Sequence, residues 1–369
     1  MAPPELMDDL IGEILLRLPP EDPECLVRAS LVCKPWRRLL SDPRFPRRYR
    51  EFHGVPPLLG FLHNEDGGRQ FFPRFVPVKE ASPILNPPPD PHCYILDCRH
   101  GRVLLLNSNK TKSLIVWDPI TNSRQDLGWP KIKYYYRITG TAAVLCALDG
   151  CDHLGCCGGP FLVVLVVIDF PNELGGDDAT TRTYSSETGT WSTGVSSVYL
   201  GLPKAGRKMI GSSLLARGAL YFILENGRRI LKYDLAGCGI SVMSPPPLPV
   251  GNMVLMKAEG GGLGACGVEG HNLHLWAWRT GPNGIPEWER GRVIQLDIGD
   301  PSTKLDVVDF AEGAGSIFIF ANKGVFAVDL KSGRARKIGK GGEFKVIFPF
   351  MSFYTPSTSL MPTDLFPQS

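Results

Sequence analysis

"DPECLVRASLVCKPWRRLLSDPRF", Asp22 to Phe45, sets apolar and basic residues side by side and is broken by proline. Asp22-Pro23 has the form of a helix N-cap followed by proline at the first helical position, where no N–H is needed. From there Leu26, Val27, Ser30 and Cys33 recur at helical spacing. Pro35 disfavours helix at Lys34, so Trp36, Leu39 and Leu40 open a third helix. Asp42-Pro43 repeats the cap signal and predicts a further helix in "RFPRRYREFH", Arg44 to His53. Upstream, "ELMDDLIGEILLRL" places Met7, Ile11, Ile14, Leu15 and Leu18 on one helical face, with Asp8, Asp9 and Glu13 off it. Pro19 and Pro20 end that helix. The first fifty-odd residues thus read as three or four short helices.

A unit of this size is near the lower limit for an independent core, and it carries more large apolar side chains than it can bury. The excess suits either a partner's helices or the body that follows, and periodicity alone does not separate the two. The wider composition is that of a soluble globular chain: 369 residues, 43% hydrophobic, 21% charged, net charge +3. Length suggests one small and one large domain. The opening "MAPPELMDDL" carries acids where a secretory leader carries basic residues. The longest apolar run, "FLVVLVVI" from Phe161 to Ile168, is far short of the roughly 20 residues needed to span a bilayer. The expectation is a soluble intracellular protein, cytoplasmic or nuclear, with its ten cysteines reduced.

The string "PPELMDDLIGEILLRLPP…LVRASLVCKPWRRLLSDPRF" resembles an F-box, especially the version found in a large plant family. Pro4, Leu6, Ile14, Leu18 and Pro19 carry the resemblance in the first half, and Leu26, Val32, Cys33, Trp36 and Leu39 in the second. The opening Pro3-Pro4 departs from the usual Leu-Pro. The resemblance implies that these ten residues contact a Skp-type adaptor of cullin-based ubiquitin ligases, foremost Leu18, Leu26, Val32, Trp36 and Leu39. Nucleic acid is not an expected partner. Eight basic residues stand against one acid between Arg28 and Arg50, but residues 1–53 hold nine of each sign.

Beyond residue 53 the texture changes to short alternating strands separated by turn residues. A glycine precedes an apolar strand at Gly54, Gly101, Gly159, Gly218, Gly270 and Gly315, at intervals of 47, 58, 59, 52 and 45 residues. That spacing suits four-stranded propeller blades. A second feature, strand–acid–turn–strand, recurs at Asp118, Asp234 and Asp329, with a weaker copy near Glu187. It predicts tight hairpins in which the carboxylate bonds nearby backbone. Insertions such as "EASPILNPPPDPH" and "PNELGGDDATT" account for unequal periods. This body resembles the F-box-associated β-propeller, related in shape to kelch repeats. Six blades are expected, the last strand in "EFKVIFPFMSFYTP" closing the ring beside early strands.

The predicted architecture is therefore α + β and multidomain. It has an F-box module over 1–53, an all-β propeller over 54–355, and a flexible tail over 356–369. "GLGACG", Gly262 to Gly267, satisfies G-x-G-x-x-G, but the following "VEGHNLHLWAWR" alternates like a strand, so no dinucleotide site is expected. "GRARKIGKGG" has one residue too many for a phosphate loop and lacks Ser or Thr after Lys340. Cys146, Cys151, His153, Cys156 and Cys157 form the densest thiol cluster. Their spacing does not match the usual paired zinc ligands and reads as a cysteine-rich loop between blades. His271 and His274 fall on opposite faces of a strand. No nucleophile is matched to a base, and no reactive cluster is expected near the ring axis. The resemblance implies a non-catalytic substrate receptor of an SCF-type ubiquitin ligase. It would need no cofactor or metal, and would join adaptor and cullin to an unknown target protein. A stand-alone propeller scaffold or propeller enzyme is the alternative.

Overall fold

A computed structural model describes residues 8–68, 71–78, 85–107, 112–131, 137–170, 178–194, 196–200, 212–224, 227–249, 253–300, 302–322, 324–339 and 346–355. Pro4, Leu6, Met7 and the segment 356–369 lie outside these residues. Four helices come first: α1 (Asp8–Leu16), α2 (Pro23–Val32), α3 (Lys34–Leu40) and α4 (Phe45–His53). Their core joins Ile11, Leu15, Leu16, Leu26, Ala29, Leu40, Phe45 and Tyr49. The Tyr49 hydroxyl donates to the Leu18 carbonyl at 2.7 Å, fastening α4 to the end of α1.

The helices differ from expectation in three details. The buried side of α1 is Ile11, Leu15 and Leu16, while Ile14 turns outward, because an i, i+4 pair aligns better than the full predicted stripe. The break before Pro35 falls at Cys33, which is fully extended, so Lys34 is already helical with proline at the second position. Asp42 sits one turn ahead of α4, its Oδ1 accepting the Arg44 N–H at 2.8 Å, and Arg44 occupies the cap position.

Six antiparallel sheets follow. Blade 2 is β3 (Cys93–Arg99), β4 (Arg102–Asn107), β5 (Ser113–Trp117) and β6 (Arg124–Asp126). Blade 3 is β7 (Arg137–Cys146), β8 (Phe161–Phe170), β9 (Asp178–Ser185) and β10 (Thr190–Trp191), with β11 (Ser196–Tyr199) also paired to β9. Blade 4 is β12 (Leu214–Ala216), β13 (Ala219–Leu224), β14 (Arg229–Asp234) and β15 (Ile240–Met243). Blade 5 is β16 (Met253–Lys257), β17 (Leu263–Glu269), β18 (Asn272–Thr280) and β19 (Pro286–Gln295). Blade 6 is β20 (Leu305–Ala311), β21 (Ser316–Ala321), β22 (Gly324–Asp329) and β23 (Ala335–Gly339). Blade 1 joins both ends of the ring: β24 (Ile347–Met351) pairs with β1 (Leu58–Asp66), which pairs with β2 (Phe71–Pro77).

The cores lie between blades. Along β13, Leu220, Phe222 and Leu224 pack toward blade 3, while Ala219, Tyr221 and Ile223 pack toward blade 5. The second strand of a blade is thus buried on both faces, which is why such strands read as unbroken apolar runs. Phe161 to Ile168 is one of them, the second strand of its blade, not its innermost. Gly101, Gly159, Gly218 and Gly315 precede second strands, as does Gly54 before β1; Gly270 instead precedes the third strand of blade 5. "GLGACG" opens β17 and leads into another strand, as its alternation predicts.

The acid-turn motif is one device repeated. The N–H groups of Asp118, Asp234 and Asp329 donate to the carbonyls of Ser123, Gly239 and Arg334. Each carboxylate accepts a turn N–H, from Ile120, Gly237 or Ser332, at 2.7–2.8 Å. Four residues after each acid stands a left-handed residue: Asn122, Cys238 and Gly333. Cysteine suits that conformation least. Cys238→Gly is expected to raise stability by about 0.5–1 kcal/mol, since glycine relieves the left-handed strain at some entropic cost. An unchanged or lower urea midpoint would contradict this.

Candidate functional site

Two places concentrate unusual chemistry: the outer face of the helical module and the ring axis. On the helices, Leu10 (48% exposed), Ile14 (42%), Leu31 (43%) and Val32 (63%) project into solvent although the module's core is already filled. Leu10 and Ile14 are one turn apart on α1, and Leu31 and Val32 end α2. Pro19 and Cys33 are also exposed, while Leu18, Trp36 and Leu39 are half-buried against the module's core. Leu26 is 1% exposed and holds the helices together, so it cannot offer a surface contact without rearrangement. Leu10 and Leu31 went unnoticed in the sequence because they lie outside the matched pattern.

At the axis, β3 and β20 each carry a register slip immediately before an acid, between Ile95 and Asp97 and between Val307 and Asp309. Both carboxyls are fully buried. Asp97 Oδ2 accepts the Val144 N–H of blade 3 at 2.9 Å, and Asp309 Oδ1 accepts the Ser212 hydroxyl at 2.7 Å. Arg99 Nη2 donates to the Ser213 carbonyl at 2.6 Å, and its Nε lies 4.0 Å from Glu312, which also pairs with Lys257. These groups line a cavity of about 1640 Å³ that also takes in Arg50 of α4 and His153. Burial pushes Asp309 up to about 7, partly offset by its bonds from Ser212 and Phe310, and raises Asp97 as well. Burial and neighbouring cations lower His100 to about 3, so that imidazole is neutral.

The sequence reading did not foresee this buried charged cluster at the axis. The signal was present as the paired strings "YILDCRHG" and "DVVDFAEG", in which an acid interrupts an inner apolar strand. What the cluster does locally is bind the ring across its centre: blade 2 to blade 3 through Asp97, blade 2 to blades 4 and 6 through Arg99, and blade 6 to blade 4 through Asp309.

The predicted loop cysteines also converge. Ligand atoms of Cys146, Cys151, His153 and Cys156 all lie within 4.8 Å of one another. Sequence spacing concealed this because the chain between β7 and β8 doubles back on itself. His274, by contrast, faces Arg290 and Glu269, not His271. No described helix is long and apolar enough to cross a membrane.

Residues 4–48 match the F-box domain, and residues 94–357 match the family described as "F-box protein AT5G49610-like, beta-propeller". The chain belongs to that family. No curated protein matches it. Among solved structures, a chain from the "Crystal structure of Nidogen/Laminin Complex" is 13% identical, covering 78% of this chain and 95% of its own length at a TM-score of 0.42. An F-box joined to a propeller supports a general role as substrate receptor of an SCF-type ubiquitin ligase, a role typically non-enzymatic.

Proposed function

We propose that the F-box seats this chain on a Skp-type adaptor, and through it a cullin, while the propeller holds a target protein for ubiquitin transfer. The chain contributes proximity, not a reactive group. The observation that carries the adaptor contact is the exposure of Leu10, Ile14, Leu31 and Val32 on a module whose core is already filled.

The target belongs on the far face of the ring. Phe353, just beyond β24, and Leu154, beyond β7, both pack into the helical core, so the F-box covers the face where innermost strands end. Phe71, which opens β2, and Tyr199, which ends β11, are exposed at the opposite end of their blades.

Purified adaptor should bind the intact protein at micromolar or tighter affinity. Ile14→Asp combined with Val32→Asp should weaken it by at least about thirtyfold, roughly 2 kcal/mol, with the thermal transition unchanged. These positions are better probes than Trp36 and Leu39, whose truncation also disturbs the module's core. A folded wild-type protein that ignores the adaptor would refute the proposal.

A further inference from the structure

The thiol cluster on the loop between β7 and β8 serves neither the adaptor face nor the blade cores. We propose that Cys146, Cys151, His153 and Cys156 together bind one zinc ion, and that this metal secures the loop on which the F-box rests.

The donor set is Cys₃His, a set proper to structural zinc, which uses four protein ligands and leaves no open position. Zn–S bonds of about 2.3 Å and Zn–N bonds of about 2.0–2.1 Å make the edges of a tetrahedron roughly 3.4–3.8 Å long. His153 Nδ1 lies 3.7 Å from Cys156 Sγ, and the remaining ligand atoms need approach one another by about an ångström at most to close on one ion. The backbone is already arranged to support two of the sulfurs. The Leu148 N–H donates to Cys146 Sγ and the His153 N–H to Cys151 Sγ, each at 3.4 Å and each two residues beyond its cysteine. Such bonds hold the two sulfurs in place on the loop.

The imidazole is held from its other side. The His153 ring stacks on His100, centroids 3.9 Å apart and planes 10° from parallel. His153 itself has φ of 60°, in the left-handed region, so the chain adopts an unfavourable conformation to present this ring. Arg102 donates to the carbonyls of Cys156 and Gly159, fixing the short 3₁₀ turn that carries Cys156. All three cysteine ligands are free of disulfide. Three thiolates and a neutral imidazole around Zn²⁺ leave one net negative charge, with Arg102 beside it. Cys157 is adjacent in sequence but is not one of the converging ligands.

The consequence follows from what the loop touches. Leu154, between two ligands, packs into the F-box core, and a Cβ placed on Gly155 would lie 2.8 Å from Arg50 Nη1 of α4. A metal there would fix blade 3 to the F-box and so set the angle between the adaptor face and the ring.

The full chain, purified reduced and without added chelator, is expected to contain one zinc per chain by mass spectrometry of the metal. Exchange with Co²⁺ should give the absorption of a tetrahedral thiolate site. Cys151→Ser and His153→Asn, both at partly exposed positions, should lose the zinc while retaining the far-ultraviolet dichroism of the wild type, and Cys157→Ser should keep it. Folded, reduced wild type with neither zinc nor a tetrahedral cobalt spectrum overturns the proposal. So does zinc that persists undiminished in both ligand variants, or a disulfide among these cysteines in protein isolated from a reducing compartment.

Discussion

Phe350→Ala should cost about 3–5 kcal/mol of unfolding free energy, a large share of the stability of any domain. Phe350 lies on the strand that closes the ring, is fully buried, and packs with Phe348, Trp117, Ile95 and Val103 across the junction of blades 1 and 2. Its ring meets Phe75 of β2 edge-on, 6.1 Å between centroids. The loss combines the transfer of a phenyl group to water with a cavity that rigid strands on three sides cannot fill. Strand pairing alone would not compensate. Among the described residues β24 pairs with β1 alone, and it tolerates Pro349 because its other edge faces the ring axis, where no ladder N–H is needed. Urea unfolding followed by tryptophan fluorescence measures the effect. A loss under about 1 kcal/mol would mean that closure depends on the backbone ladder and not on this packing.

The second large effect is a dependence on pH at Asp309. Its carboxyl titrates near 7 when folded and at 3.8 in an exposed reference. The folded state therefore retains a proton that the unfolded state releases, and stability falls as pH rises from about 4 to about 7. Below that window both states are protonated; above it the buried charge is present and its penalty is complete. The upper bound on the change is about 4 kcal/mol. Asp309→Asn keeps an oxygen for Ser212 and the Phe310 N–H but never ionises. It should match the wild type near pH 4 and exceed it clearly at pH 8, with urea midpoints at both values as the test. Equal destabilisation at both pH values would show instead that the carboxylate is charged and stabilised by Arg99.

Much of this architecture was legible in the chain, for identifiable reasons. The Asp118, Asp234 and Asp329 turns could be read because an acid, a left-handed position and a closing strand fall within a few residues of one another. Ring closure by residues near 350 was legible because one apolar segment remained without a hairpin partner. Gly270 also precedes a strand, but the third of its blade where the others precede the second, because blade 5 has glycine at two successive turns that spacing cannot tell apart. The outward turn of Ile14 was missed because a five-residue stripe and an i, i+4 pair look alike until the partner helices are placed. The axial acids and the cysteine cluster were harder. Asp97 and Asp309 are 212 positions apart, and only ring curvature brings strands so distant in sequence to one centre. Among the adaptor residues, the pattern located the module well but could not distinguish Leu26, which builds it, from Val32, which faces outward.

Phe353 follows the closing strand directly and enters the core of the first four helices beside Tyr49, 6.1 Å between ring centroids. The four helices and the closing strand are thus completed in the same place. While the chain is being translated, β1 waits for β24, and the F-box lacks Phe353 until all six blades have been made. A premature stop anywhere upstream of residue 347 deprives both halves at once. Such a product would have an open ring beneath an imperfect F-box.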